Sequence, residues 1–234
     1  MTDADWWEDK TMLKVEFPLT VQDSEATYEI PYGSIKRSTK RNTLWNKARF
    51  EVSAIRWADV SNNGYGVSLL NNSKYGYDVK DDVMRLSLLR SPRWPDPTAD
   101  RGEHQIEYSL YPHKGNWKEA NTVNKGYDFN YRLIPFLTDV HKGPLPPIYS
   151  FVKMNAPNLI LTTFKKAEDE DAYIFQWYES EGKDTEAEIE FPEATKKVVK
   201  SNFMEEDGEP LKFEGKKLKI DTPQNSVITI KVYF

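Results

Sequence analysis

Within fifteen residues the chain sets out Arg90, Arg93, Trp94, Asp96, Asp100, Arg101 and His104. Guanidinium groups donate in a planar fork, and ionised carboxylates only accept. The face of an indole stacks on the slightly positive C–H groups of a sugar ring. Pro92, Pro95 and Pro97 interrupt the same stretch, removing amide donors and fixing φ, so neither a helix nor a central strand runs through it. A stiff loop dense in donors and acceptors is how a β-scaffold presents a polar binding surface. A solvated crossover between strands has the same composition, and both readings stand on these residues alone.

Other chemistries find less support. The histidines are His104, His113 and His141, separated by nine and then 28 residues, which is no metal-ligating spacing on one helix face. No Gly-x-Ser-x-Gly elbow and no glycine-rich run before a helix occur. Glycoside hydrolysis needs two carboxyl groups, one of them protonated. Asp96 and Asp100 share their loop with arginines, which lower carboxylate pKa values, so ion pairing or contact with sugar hydroxyls suits them better than acid catalysis. Trp6, Trp7, Trp94 and Trp117 fall in loops or near element ends. Trp45, Trp57 and Trp177 read as core, and Trp94 fits binding or packing equally.

The elements that must hold this loop are strands. Leu13–Phe17, Tyr28–Ile30 and Arg49–Val52 alternate apolar and polar residues, the period of a half-buried strand. Turn signatures at 59–64 and 71–76 separate strands predicted at 65–70, 77–79 and 83–88, and Gln105–Leu110 resumes beyond the prolines. Asn116 is an N-cap candidate for one short helix ending by Phe129. Strands return at 159–164, 173–178, 186–191 and 227–232, with loops at 168–171 and 205–208. Short strands with regularly spaced turns indicate an all-β sandwich.

Composition bounds the rest. The 234 residues contain no cysteine, which removes disulfides, zinc–cysteine sites and thiol nucleophiles. No window approaches the roughly 18 apolar residues of a membrane span, and the first residues have no signal-peptide pattern. A net charge of -5 gives no general attraction to nucleic acid or acidic membranes, so a soluble, cytoplasmic protein is expected. All nine arginines lie between Arg37 and Arg132, and every basic Lys or Arg beyond is lysine. Arginine beside aromatics marks recognition, and a lysine–glutamate surface marks solubility. This shift places a boundary near 160, giving domains 1–160 and 161–234.

Gly64–Asp78 and Leu86–Asp100, together with His104, Tyr111-Pro112-His113, Asn42–Trp45 and Phe50–Val52, resemble the C-terminal β-region of α-mannosidases of glycoside hydrolase family 38, in its cytosolic, non-lysosomal branch. The resemblance covers residues 5–165 strongly and the tail weakly. It implies a large β-sandwich of the galactose-mutarotase-like supersandwich type, incomplete at its N-terminus, followed by a small terminal β-sandwich. It also implies an α/β barrel elsewhere that carries the nucleophilic aspartate and a divalent metal, zinc, neither of which this chain contains.

On that resemblance the 90–104 loop reaches the barrel's active site, Arg93 and Arg101 donate to sugar hydroxyls, Asp96, Asp100 and His104 complete the polar set, and Trp94 walls the pocket. The expected partners are α-mannosides or oligosaccharide and the catalytic barrel, with no nucleic acid and no membrane. A stand-alone carbohydrate-binding module and a structural domain that self-associates through an exposed sheet face are the alternatives.

Overall fold

The computed structural model describes residues 1–234. Strand accounts for 47% of it and helix for 6%, as the alternation of apolar residues predicts. The chain divides into two compact units, Met1–Arg132 and Leu133–Phe234, so residues 133–160 fall in the second unit.

In the first unit the strands are β1 (Thr2–Trp6), β2 (Leu13–Pro18), β3 (Glu25–Ile30), β4 (Gly33–Ser38), β5 (Val52–Ser53), β6 (Trp57–Asn62), β7 (Tyr65–Asn71), β8 (Gly76–Lys80), β9 (Val83–Leu89), β10 (Gly102–Ile106) and β11 (Tyr108–Lys114). Helix α1 (Leu44–Ala48) precedes β5, and α2 (Thr122–Asn130) follows β11. A five-stranded sheet β11-β7-β6-β3-β4 and a four-stranded sheet β2-β9-β8-β5 are joined by a two-stranded ribbon β1-β10, all pairs antiparallel. Tyr28, Ala58, Val60, Val67 and Leu69 of one large sheet share a buried cluster with Tyr77, Val79, Met84 and Leu86 of the other. The period-2 alternation sends these residues inward and leaves Arg85 and Ser87 outward.

The back of the five-stranded sheet is also covered. Trp117 packs on Trp57 with ring centroids 5.1 Å apart, and α2 lies close enough that a Cβ at Gly126 would sit 3.1 Å from the Trp57 ring. This face buries a polar group. The Asp59 carboxylate accepts from Ser68 Oγ (2.7 Å) and pairs with His113 Nε2 (2.8 Å), and Ser68 Oγ also meets Thr122 Oγ1 at 3.0 Å. Glu29, on the same face, accepts from the Arg56 amide at 2.6 Å and from its Nε and Nη2. The Arg56 guanidinium lies 4.0 Å from the Tyr127 ring centroid, so the cation that pairs with Glu29 is itself packed on an aromatic face. Burial nevertheless raises the Glu29 pKa, against the pull of Arg56.

The second unit contains β12 (Lys153–Met154), β13 (Leu159–Lys166), β14 (Tyr173–Glu179), β15 (Thr185–Glu190), β16 (Lys197–Ser201), β17 (Asp207–Pro210), β18 (Phe213–Glu214), β19 (Lys217–Thr222) and β20 (Val227–Tyr233). Sheets β13-β14-β20-β16-β17 and β12-β15-β19-β18 close over Phe175, Trp177, Ile230, Val232, Ile189 and Leu218. Trp177 donates its indole N–H to Thr222 Oγ1 at 3.0 Å, which lets a large polar aromatic sit in the core.

Several expectations are corrected. Gln105–Leu110 is not one strand: the chain changes sheets at Glu107, with β10 on β1 and β11 on β7. The predicted strand at Arg49–Val52 is mostly a turn: Arg49 caps the end of α1, whose Thr43 N-cap accepts from the Asn46 amide at 3.1 Å, and only Val52-Ser53 is extended. Asn116 accepts from the Lys118 and Glu119 amides while the Glu119 carboxylate accepts from the Asn116 amide, a reciprocal cap. That cap opens only a turn, and the helix starts at Thr122 and ends one residue beyond Phe129. Trp45, predicted to be core, is 66% exposed because α1 buries nothing. The 205–208 loop ends early, since Asp207 already begins β17.

Candidate ligand-binding rim

The 90–101 segment leaves β9 in one sheet and enters β10 in another, so its two ends belong to different layers. Asp100 fastens them. Its Oδ2 accepts from the Arg90 amide at 3.0 Å and the Ser91 amide at 2.8 Å, and its backbone turns left-handed at φ 64. Aspartate tolerates that region better than most side chains. Gly102 follows at φ 112, a value that L side chains rarely adopt, and starts β10 at once. His104 Nε2 lies 2.8 Å from the Asp100 carbonyl oxygen, which pins the same corner from the strand side. Asp96 accepts from the Thr98 amide and hydroxyl, each at 2.8 Å, and forms a turn of its own.

A second anchor centres on Asp9, which sequence reasoning left out. Asp9 Oδ1 and Oδ2 accept from Arg101 Nη2 at 2.8 and 2.9 Å, and Arg93 Nη2 reaches Oδ2 at 2.9 Å. Trp6 donates its indole N–H to the buried Ser91 Oγ at 2.6 Å, and the Lys10 amide donates to the Ser91 carbonyl at 2.8 Å. Asp9 lies more than eighty positions from both arginines, and no local spacing in Glu8-Asp9-Lys10 sets it apart. The only sequence signal pointing to it is the surplus of arginine over carboxylate in the loop.

The electrostatics follow from these contacts. Arg101's hydrogen bond, with the charges of Arg101 and Arg93, holds the Asp9 carboxyl below the usual carboxylate range. The Ser91 and Arg90 amides do the same for Asp100, and the Thr98 amide and hydroxyl for Asp96. All three therefore stay ionised at neutral pH and can accept but not protonate a leaving group.

Of the predicted residues, the structure brings Arg93 and Arg101 together on Asp9, and Asp100 together with His104. Asp96 is bonded within its own turn. Trp94 stands 85% exposed, bounded by a cis bond to Pro95. At the base of the loop, Met12, Phe50, Glu51, Ser87, Arg90 and Asp100 border an open groove of about 480 Å³, the size class of small-ligand sites. One side is apolar, through Met12 and Phe50. Glu51 accepts from Ser87 Oγ and lies 3.7 Å from Lys14 Nζ.

Two other chemistries can be weighed directly. Ser68, His113 and Asp59 have the residue types of a nucleophile triad, but Asp59 Oδ2 and Ser68 Oγ both face Nε2 of His113, and all three are buried. A working triad uses opposite ring nitrogens and an accessible hydroxyl, so this group acts as a buried bond network. No set of three or more His, Asp or Glu side chains in this chain converges to hold a metal ion, and the divalent metal that the resemblance implies belongs to the barrel and not to these residues.

The model of "Glycosyl hydrolases family 38 C-terminal domain" matches residues 1–98, and that of "Glycosyl hydrolases family 38 C-terminal beta sandwich domain" matches residues 158–233. Alpha-mannosidase 2C1 of Homo sapiens is 42% identical over 185 residues, covering 77% of this chain and 18% of that protein. Alpha-mannosidase G of Dictyostelium discoideum is 37% identical over 209 residues, covering 88% and 19%. An alpha-mannosidase of Saccharomyces cerevisiae is 40% identical over 171 residues, covering 73% and 16%. The chain thus spans under a fifth of the length of these relatives. In fold it matches a solved alpha-mannosidase from Enterococcus faecalis V583 with a TM-score of 0.79 at 16% identity, over 95% of this chain and 26% of that one. A second family 38 structure from Enterococcus faecalis matches with a TM-score of 0.81 at 15% identity, over 99% and 27%.

Proposed function

The chain belongs to glycosyl hydrolase family 38, as its C-terminal β-region, and from that premise we propose that it serves an α-mannosidase as a non-catalytic part completing the active-site cleft. The full enzyme would hydrolyse terminal α-D-mannose residues, its barrel supplying the nucleophile and the divalent metal, zinc. The observation that carries the reading is the doubly anchored rim: Asp100 fixes the loop ends and Asp9 gathers Arg93 and Arg101, while Trp94 projects outward. Preformed donors and acceptors on a braced loop hold sugar hydroxyls at little entropic cost. Arg93, Arg101, Asp96, Asp100 and His104 are the proposed polar contacts and Trp94 the stacking wall. The same reading assigns the protein to the cytoplasm.

The test is a graft. This chain replaces the matching segment of the Saccharomyces cerevisiae alpha-mannosidase, and turnover of p-nitrophenyl α-mannoside is measured. The wild-type graft turns over, the isolated chain does not, and Arg101→Ala lowers kcat/KM of the graft. Turnover by the isolated chain, or an assembled graft indifferent to substitution of the whole charge set, refutes the proposal. The exposure of Trp94 favours one second reading, a stand-alone carbohydrate-binding module, which calorimetric titration of the isolated chain with mannotriose would reveal.

A further inference from the structure

We propose that residues 133–151 form a docking strap whose partner is the remaining polypeptide of the α-mannosidase, the part bearing the catalytic barrel. The inference rests on the preceding reading and names the surface through which it works. Leu133, Ile134, Phe136, Leu137, Val140 and Ile148 are each at least 88% exposed, in a single run of chain. Singly exposed apolar residues need no explanation, but a contiguous set marks an interaction site.

Three properties distinguish the strap from a solvated linker. First, Asp139 and Lys142 are its only Asp, Glu, Lys or Arg residues, in a chain that is 29% charged. Linkers that stay in water have the opposite composition. Second, residues 133–151 make no backbone–backbone hydrogen bond, and their side-chain bonds, such as Ser150 Oγ to the Val152 carbonyl at 2.6 Å, are local. The strap is held by no sheet. Third, Pro135, Pro144, Pro146 and Pro147 keep the backbone extended, which lowers the entropy lost on docking.

The occupant follows from length and from those prolines. The solved family structure matches 99% of this chain, strap included, yet this is only 27% of that protein, and the curated relatives leave still more outside the match. The polypeptide available to cover the strap is therefore several times larger than the chain itself. A second copy is the poorer fit, because four missing amide donors spoil the strap as an edge for strand-to-strand pairing. The receiving surface should be an apolar groove wide enough for an extended segment, with little charge.

The experiment uses the graft described above and the isolated 234-residue chain, each as wild type and with Leu133→Asp, Leu137→Asp and Ile148→Asp combined. These side chains belong to neither core, so circular dichroism melting of the isolated variant should match wild type. Hydrogen exchange in the strap should slow by about tenfold or more in the wild-type graft relative to the isolated chain. In the variant graft that protection should vanish and protease should cut at the strap. An active wild-type graft whose strap exchanges as fast as the free chain overturns the strap and leaves the functional reading intact. Dimers of the isolated chain that the triple variant abolishes also overturn it, since a second copy is then the cover. An inert graft with a freely exchanging strap overturns both.

Discussion

Replacing Asp100 tests whether the rim is set by its own fastening. Its Oδ2 accepts from the Arg90 and Ser91 amides at 3.0 and 2.8 Å. Bonds to an ionised acceptor contribute about 1.5–3 kcal/mol each where buried, and solvent screening at this partly exposed site cuts that to about 0.5–1 each. Alanine at φ 64 adds about 1–2 kcal/mol of left-handed backbone cost, part of which aspartate escapes. Local opening should then become easier by about 2–3 kcal/mol in Asp100→Ala, which speeds exchange of the Arg90 and Ser91 amides about 30- to 150-fold. Asp100→Asn keeps the left-handed tolerance and one acceptor oxygen, so about tenfold or less is expected.

Hydrogen exchange read by NMR supplies the assay, with amides of β14 in the other unit as an internal control. The pH dependence has a fixed sign. The amides depress the Asp100 pKa, so its contribution is complete above the unfolded value near 3.9 and disappears as pH falls through the lower folded value. Corrected protection at Arg90 and Ser91 should fall in that acid range for wild type and show no such step in Asp100→Asn. Exchange in Asp100→Ala within about twofold of wild type would refute the reasoning.

Gly66→Ala should lower the midpoint of the first unit by about 10 °C in calorimetry, from about 1–3 kcal/mol of overpacking. The new Cβ would lie 2.4 Å from His113 Cε1 and 2.6 Å from Ser61 Cβ, whereas Gly33→Ala meets nothing within 4 Å and should leave the midpoint in place. Burial works against charge on His113, but the Asp59 hydrogen bond and charge outweigh it and raise the pKa. The stabilisation is therefore full below about 6.5 and fades as pH rises through the higher folded value. His113→Gln should flatten that alkaline decline, and an imidazole NMR midpoint below about 6.5 would contradict the account. Glu179, wholly buried, accepts from Asn158 Nδ2 and from the amides of Glu181, Gly182, Lys183 and Asn225 at 2.7–3.1 Å. Burial opposes its charge, yet those donors hold the pKa below normal. Glu179→Gln should cost the second unit about 3 kcal/mol at neutral pH while sparing the first, and the gap should narrow as acid protonates the wild-type carboxyl.

What was legible in the sequence is what local period and composition encode. The alternation in Val83–Leu88 or Glu186–Phe191 predicts strands because one face of each is buried and the other wet. Pro92, Pro95 and Pro97 predict the loop for the same local reason. The rim's geometry was not legible, because its organising carboxylate, Asp9, meets the arginines only after β1 pairs with β10. The sheet change at Glu107 was hidden too, since Gln105–Leu110 keeps its alternation across the break while the chain shifts partners. Trp45 misled because an indole reads as core wherever its helix is too short to bury a face. In the second unit, no strand was predicted at Lys197–Ser201 or Lys217–Thr222, whose buried sides face the core only once β20 and β15 pair with them.

Asp9 makes the rim a property of two distant stretches of chain, and so of folding order. The loop cannot adopt its final form until the first ten residues have returned to it, which places its completion among the late, long-range events. Trimming those residues would dismantle the rim while leaving every residue from Arg90 to His104 in place. Transplanting the loop alone into another scaffold would carry two guanidinium groups without their shared anion.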